Sequence, residues 1–157
     1  MKNSKTNRGF SLIELLIIVS IIGILAAIVI PTFSNANETA KAGAVASQLN
    51  TVKKSLVLYK NDHNGTYPTD AQMITNQWQA LTNSTDIDGD IAGEDYGPYF
   101  MKPAFNAFMD SNVVAADNSA AWQYDSSTGT IQAVVPIAVK VQAETLNLID
   151  SDLVVSP

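Results

Sequence analysis

The sequence predicts an α+β fold: one long N-terminal helix, membrane-embedded over its first half, packed on a small antiparallel-sheet head. Three observations predict it. Leu15 to Phe33 reads LLIIVSIIGILAAIVIPTF, and no charged residue lies between Glu14 and Glu38. Val45, Leu49, Val52, Leu56 and Tyr59 then recur at steps of 4, 3, 4 and 3. Further on, two short strand-like runs flank a Gly-containing loop.

The apolar run is the first element. At about 1.5 Å per residue, roughly 20 helical residues cross a hydrocarbon layer of about 30 Å. Lys2, Lys5 and Arg8 stand just before it and a long acidic stretch follows, so positive-inside bias sets the N-terminus in the cytoplasm. An ordinary secretory signal has the same general form. The run exceeds the roughly 7–15 residues of such a signal's apolar part, and Glu14 sits within its leading edge. A small-residue cleavage site near Asn35-Ala36-Asn37 keeps that alternative open.

The helix continues past the apolar run. The Val45–Tyr59 positions form an apolar stripe on one helix face, with Lys53, Lys54 and Lys60 off it. The predicted helix runs from about Phe10 to Asp62, and a helix of that length measures roughly 80 Å. Gly23 and Pro31 lie inside it. Pro lacks the N–H and clashes with the preceding turn, and Gly costs about 1 kcal/mol relative to Ala. Both are tolerated as kinks in lipid, and together they mark a segment able to unwind when the helix leaves lipid for protein.

Asn61-Asp62-His63-Asn64-Gly65 ends the helix with turn-forming residues. Thr69 and Gln72 match a capping box that opens a second, short helix with Ile74, Trp78 and Leu81 on one face. Residues 82–98 read as a polar loop rich in Gly and Asp. Ala121 to Tyr124 and Thr130 to Val135 pair as a hairpin around Asp125 to Gly129. Ile137 to Val155 is a further strand or a short helix. The head spans 64–157, and the Val45–Tyr59 stripe completes its core. The chain thus divides into 1–9, 10–35, 36–63 and 64–157: a basic N-terminal segment, an apolar helix half, an amphipathic helix half and the head.

Composition removes several chemistries. The 157 residues include no Cys and one His, so disulfides, thiolate nucleophiles, Cys-based metal sites and multi-histidine sites are absent. The net charge of −6 is unevenly spread. Residues 1–9 carry three cations and no acid, whereas residues 62–157 carry thirteen acids against Lys102 and Lys140, a balance of −11. An acidic head argues against nonspecific nucleic-acid binding, and no specific nucleic acid is inferred.

The most informative residues are Arg8-Gly9-Phe10-Ser11-Leu12-Ile13-Glu14, directly followed by the apolar run. This segment resembles the class III prepilin signal of the type IV pilin and type II secretion pseudopilin superfamily: a basic leader ending in Gly, an aromatic first mature residue, Glu four positions later, then a membrane helix. Leu15-Leu16, Gly23 to Ala27 and Ile30-Pro31 extend the likeness. Leu58-Tyr59-Lys60 with Asn64 to Thr69 is similar to the segment ending the long helix in major pseudopilins and many pilins. Tyr96 to Phe100 and Trp122 to Asp125 with Ser127 to Gly129 fit such heads more loosely.

The resemblance implies a pilin-like fold and a non-enzymatic structural role. It implies a cut between Gly9 and Phe10 by a prepilin peptidase, methylation of the new Phe10 amine, and assembly into a homo-oligomeric helical filament from an inner-membrane platform driven by an ATPase. Before assembly the chain is a single-pass protein of the lipid bilayer; afterwards it lies in a surface pilus or a periplasmic pseudopilus. Glu14 is then the assembly residue, pairing with a neighbour's N-terminal amine. A carboxylate near the centre of a membrane helix costs on the order of 2.5–3.5 kcal/mol, less near the interface. The rival role for Glu14 is to snorkel to the headgroups.

Other constellations are weaker. Asp86, Asp88 and Asp90, with Glu94 and Asp95 nearby, offer hard oxygen ligands suited to Ca²⁺. Aligned as an EF-hand loop from Asp86, the sequence has Ile91 where Gly belongs and Gly97 where Glu belongs. A solvated acidic loop is the competing reading, and no cofactor is required. His63 has no Ser or Cys arrangement around it and reads as a helix-end residue. Asn37, Asn64 and Asn83 head N-x-[ST] patterns.

Three functions remain in view: a subunit of a type IV pilus or similar filament, a major pseudopilin of type II secretion, and a secreted binding or enzymatic domain behind an ordinary signal. The absence of Cys removes the disulfide loop of many pilins and leans toward pseudopilins or Cys-free pilins.

Overall fold

The computed structural model describes residues 10–137, 139–140 and 153–157, with the backbone alone over 31–35. Helix α1 spans Leu12–Asp62 and a four-residue helix, α2, spans Gln79–Thr82. Strands β1 (Val114–Ala115), β2 (Trp122–Asp125), β3 (Thr130–Val135) and β4 (Leu153–Val155) form one sheet in the order β1-β2-β3-β4. The chain divides into two compact units, one ending at Glu38 and the other covering Thr39–Pro157.

In the second unit the predicted stripe is the core. Val45, Leu49, Val52, Leu56 and Tyr59 are all buried, in one cluster with Trp78, Trp122, Tyr124, Ile131, Ala133 and Val135. Strand alternation supplies the other side: Trp122 pairs with Ala133 and Tyr124 with Ile131 across the antiparallel β2–β3 ladder, which places all four on one face. Trp122 and Trp78 meet edge to face, centroids 6.0 Å apart.

Helix α1 closes on Asn64, whose φ is +54°. The Gly65 N–H reaches back to the Lys60 carbonyl at 2.9 Å, a Schellman-type end that satisfies an otherwise orphaned acceptor. His63 is buried, stacked on Tyr59 with centroids 3.6 Å apart. Its Nδ1 donates to the Tyr59 carbonyl at 2.7 Å and its Nε2 meets the Thr85 hydroxyl at 3.0 Å. With both ring nitrogens engaged, His63 is a structural residue at the helix end.

The sheet differs from the all-antiparallel expectation. Only β2–β3 is antiparallel; β1–β2 and β3–β4 are parallel. The outer strands have two and three residues, too short for a periodic pattern to reveal; of the stretch Ile137 to Val155 expected as strand or short helix, residues 138 and 141–152 lie outside the described residues. The predicted second helix also breaks in two. Thr69 and Gln72 make both capping bonds, at 2.8 and 3.4 Å, yet the turn at Ala71–Thr75 is π-helical, and Gln77 and Trp78 then take positive φ before α2. Distant partners explain the break. Gln77 both accepts from the Val114 N–H and donates to its carbonyl, at 3.1 and 2.9 Å, in effect pairing with β1 as a strand would. Trp78 turns inward and donates to the Asn112 carbonyl.

Asp125 orders the hairpin loop by accepting from the Ser127 hydroxyl and N–H and the Thr128 hydroxyl. These bonds, the Ser127 hydroxyl foremost, hold its carboxyl below the ordinary range. Gly129 has φ +68°, and a Cβ there would run into the Tyr67 ring. Gly129→Ala is expected to cost on the order of 2 kcal/mol, combining left-handed strain with overpacking. Denaturant unfolding measures it; an unchanged midpoint would contradict this packing.

Buried phenols set an alkaline limit. Burial, with the Asp86 charge adding, pushes Tyr59 up to about 12, and burial also raises Tyr124, whose hydroxyl donates to the Pro68 carbonyl at 2.8 Å. An unfolded phenol titrates near about 10. Because the folded value is the higher one, the stabilisation is complete below about pH 10 and is lost as pH rises toward about 12. Near-ultraviolet circular dichroism, followed alongside tyrosinate absorbance, should lose the head's signal across that window. Tyr59→Phe should move the loss upward.

Candidate functional site

The candidate site is the start of α1 and the apolar face behind it. Ser11 precedes the first helical residue, and its carbonyl accepts from the Leu15 N–H at 3.2 Å. Glu14 turns back so that Oε2 accepts the Ser11 N–H at 2.9 Å. This is half of a capping box, closing one of the N–H groups that a helix leaves unpaired at its start. The Ser-x-x-Glu spacing announces it in the sequence just as Thr69-x-x-Gln72 does, although the apolar run beside it dominates that segment. Ser11 thus joins the site.

Phe10, the expected first mature residue, is 79% exposed. Gly9 and the leader 1–9 lie outside the described residues. Through Gly23 and Pro31 the α1 assignment is continuous. A Cβ at Gly23 would meet nothing within 4 Å, so no contact inside this chain demands glycine there.

Leu12–Ile30 forms a helical stretch long and apolar enough to cross a membrane, with none of it buried within the chain. Helical pairing serves most of its backbone, as a spanning segment requires, while Pro31 has no N–H to offer the Ala27 carbonyl. The one hydroxyl in this stretch, Ser20, donates to the Leu16 carbonyl at 2.7 Å. Charge enters only at Glu14, and there it is engaged. The arrangement has no nucleophile–base pair and suits insertion into an apolar surrounding.

The acidic loop is a separate place in the head. Asp86 Oδ1 accepts the N–H groups of Asp88 and Asp90 at 3.0 and 2.8 Å, and Asp90 Oδ1 accepts that of Ala92 at 2.9 Å. Gln72 Nε2 donates to the Asp88 and Gly89 carbonyls, both at 3.0 Å. Among the described residues no three His, Asp or Glu side chains gather in a group able to hold a metal. The three Ca²⁺ candidates therefore share a loop without converging.

Comparison with known proteins points the same way. The family described as "Prokaryotic N-terminal methylation motif" matches residues 4–30. The chain is 40% identical over 75 residues to the type IV wide pilus major component PilA4 of Thermus thermophilus, covering 48% of this chain and 55% of that protein. It is 32% identical over 95 residues to the type II secretion system core protein G of Klebsiella pneumoniae, covering 60% and 64%. It is 32% identical over 66 residues to a ComG operon protein 3 homolog of Bacillus licheniformis, covering 42% and 68%. The first two matches thus span less than two thirds of those proteins' lengths. No solved structure matches.

Proposed function

Because the chain belongs to the type IV pilin and type II secretion pseudopilin superfamily, we propose that it is a non-enzymatic structural subunit of a type IV pilus or pilus-like filament. The observation that carries this reading is the Leu12–Ile30 helix, apolar all round and unburied in its own chain. Such a helix must be covered by something apolar, first lipid and then its neighbours' helices.

In this reading Lys2, Lys5 and Arg8 keep the leader on the cytoplasmic side of the membrane. A prepilin peptidase cuts between Gly9 and Phe10, and the new amine is methylated. Glu14 then meets the amine of a neighbouring subunit as the helix moves into the bundle, with the work supplied by an assembly platform and its ATPase. An ion pair in an apolar core is a register device more than a source of stability.

Mass spectrometry of the mature N-terminus, with electron microscopy of filaments in wild-type and deleted cells, tests the proposal. A chain starting at N-methylated Phe10 in filaments that vanish on deletion is expected. A mature start near Asn37 would sink it. The second reading, a pseudopilin of type II secretion, is favoured by the greater share of this chain matched by the secretion protein, 60% against 48% for the pilus component. Loss of secreted enzymes on deletion, with no loss of surface pili, selects it.

The proposal uses no cofactor. Asp86 accepts two of its own loop's N–H groups through one carboxylate oxygen, which supports reading the loop as a solvated acidic one. Chelation by EDTA is expected to leave the thermal midpoint unchanged. A midpoint that rises with added Ca²⁺ would instead assign the loop a metal.

A further inference from the structure

Two surface features of the Thr39–Pro157 unit have no part in the reading above, and their chemistries are opposite. Lys53, Lys54, Val57 and Leu58 line a shallow concavity on α1. Their spacing sets all four on one helix face. Val57 and Leu58 are 51% and 53% exposed, giving an apolar floor beside lysines. From Thr39 to Asn61 the helix carries Lys41, Lys53, Lys54 and Lys60 and no acid.

The other feature is the tip of the loop after α2. Ile87, 38% exposed, stands between Asp86 and Asp88, with Asp90 and Glu94 following. The tip is ordered in advance: Asp86 holds the Asp88 and Asp90 N–H groups, the Gly89 N–H donates to the Asp86 carbonyl at 3.0 Å, and Gln72 holds the Asp88 and Gly89 carbonyls. A pre-ordered tip loses little conformational freedom on contact.

An apolar floor beside lysines and an apolar tip between carboxylates are complementary in both respects. They do not meet within one molecule, since Val57, Leu58 and Ile87 all remain exposed. We infer that the Ile87 tip of one copy seats on the Lys53–Leu58 concavity of a second copy. This contact rests on the filament reading and names a head interface for it. Two different patches make the contact heterologous, so a copy whose tip is seated still offers its own concavity and the chain of contacts propagates. A symmetric pairing of either patch with itself would oppose like charges.

The absence of Cys makes the contact directly testable, because introduced thiols stand alone. Leu58→Cys and Ile87→Cys are made in the full chain, produced singly and together in cells that assemble it, and oxidised. Mixed disulfide dimers are expected at about ten times the level from either variant alone, reflecting the raised local concentration across the contact. Independently, Lys54→Glu and Asp88→Lys should each cut filament number about tenfold, and their combination should restore it. Filaments whose mixed cross-links do not exceed those of the single variants overturn the contact and leave the filament reading standing. Charge variants that lose filaments without restoration in combination overturn the pairing. Mixed cross-links from a chain that makes no filament uphold the contact and overturn the filament reading.

Discussion

Glu14→Ala is expected to leave the chain inserted in the membrane and cut at Phe10, while filament number falls about a hundredfold or more. Removing one partner of a buried ion pair costs about 3–5 kcal/mol, and about 1.4 kcal/mol is a factor of ten. Insertion should survive because the substitution removes the only charge in the apolar stretch. Alanine also removes the bond from the Ser11 N–H, a loss of about 1 kcal/mol at the helix start. Glu14→Gln separates the two roles: the amide oxygen still accepts that N–H, but the charge is gone. Filament counts, membrane fractionation and the mass of the mature N-terminus are read on both variants. If Gln assembles normally while Ala does not, the cap matters and the ion pair is refuted.

Trp122→Ala is expected to unfold the head outright or lower its melting temperature by on the order of 15 °C or more. Deleting a fully buried Trp costs about 3–5 kcal/mol, and each kcal/mol moves the midpoint of a domain this size by several degrees, about 4–8 °C at the smaller end. Three losses coincide at this residue. The ring is buried against the helix stripe, its edge-to-face contact with Trp78 disappears, and its Nε1 donor to the Ala104 carbonyl, at 3.0 Å, goes with it. Trp122→Phe should recover part of the packing and none of the hydrogen bond. Thermal unfolding followed by circular dichroism gives the ranking; an alanine variant melting within a few degrees of wild type would contradict the placement of this core.

The parts of the fold visible in the sequence are those governed by local period. The stripe from Val45 to Tyr59 and the Trp122–Val135 hairpin announce themselves because helix and strand repeat every 3.6 and 2 residues. What stayed hidden depends on partners far along the chain. Nothing near Gln77 indicates that its amide will pair with Val114. Asn106 is hidden in the same way: its side chain is buried and donates to the Ala121 and Val134 carbonyls at 2.8 and 2.6 Å, while its oxygen accepts the Phe108 N–H at 3.0 Å. One polar residue thereby ties a loop to β3 and to the residue that leads into β2, and only the folded sheet creates its acceptors. At the candidate site the order Gly9, Phe10, Glu14 was legible as a motif. The Ser11 cap had a readable spacing too, but the apolar run beside it dominates that segment.

The hydrogen bonding of the apolar helix half bears on how fast such a subunit can move. Every amide between Leu12 and Ile30 that pairs along the helix, and the Ser20 hydroxyl with them, finds its acceptor inside the same helix. For the apolar side chains of this half, lipid tails and a neighbour's leucines would be near-equivalent surroundings, since neither has to supply a bond to them. In the filament reading, leaving one for the other breaks dispersion contacts that re-form along the path, and the polar exchanges are confined to Glu14, which now holds the Ser11 N–H, and to the segment marked by Gly23 and Pro31. In that reading the resistance to transfer is concentrated at those two places and the rest of the apolar half moves without exchanging a bond.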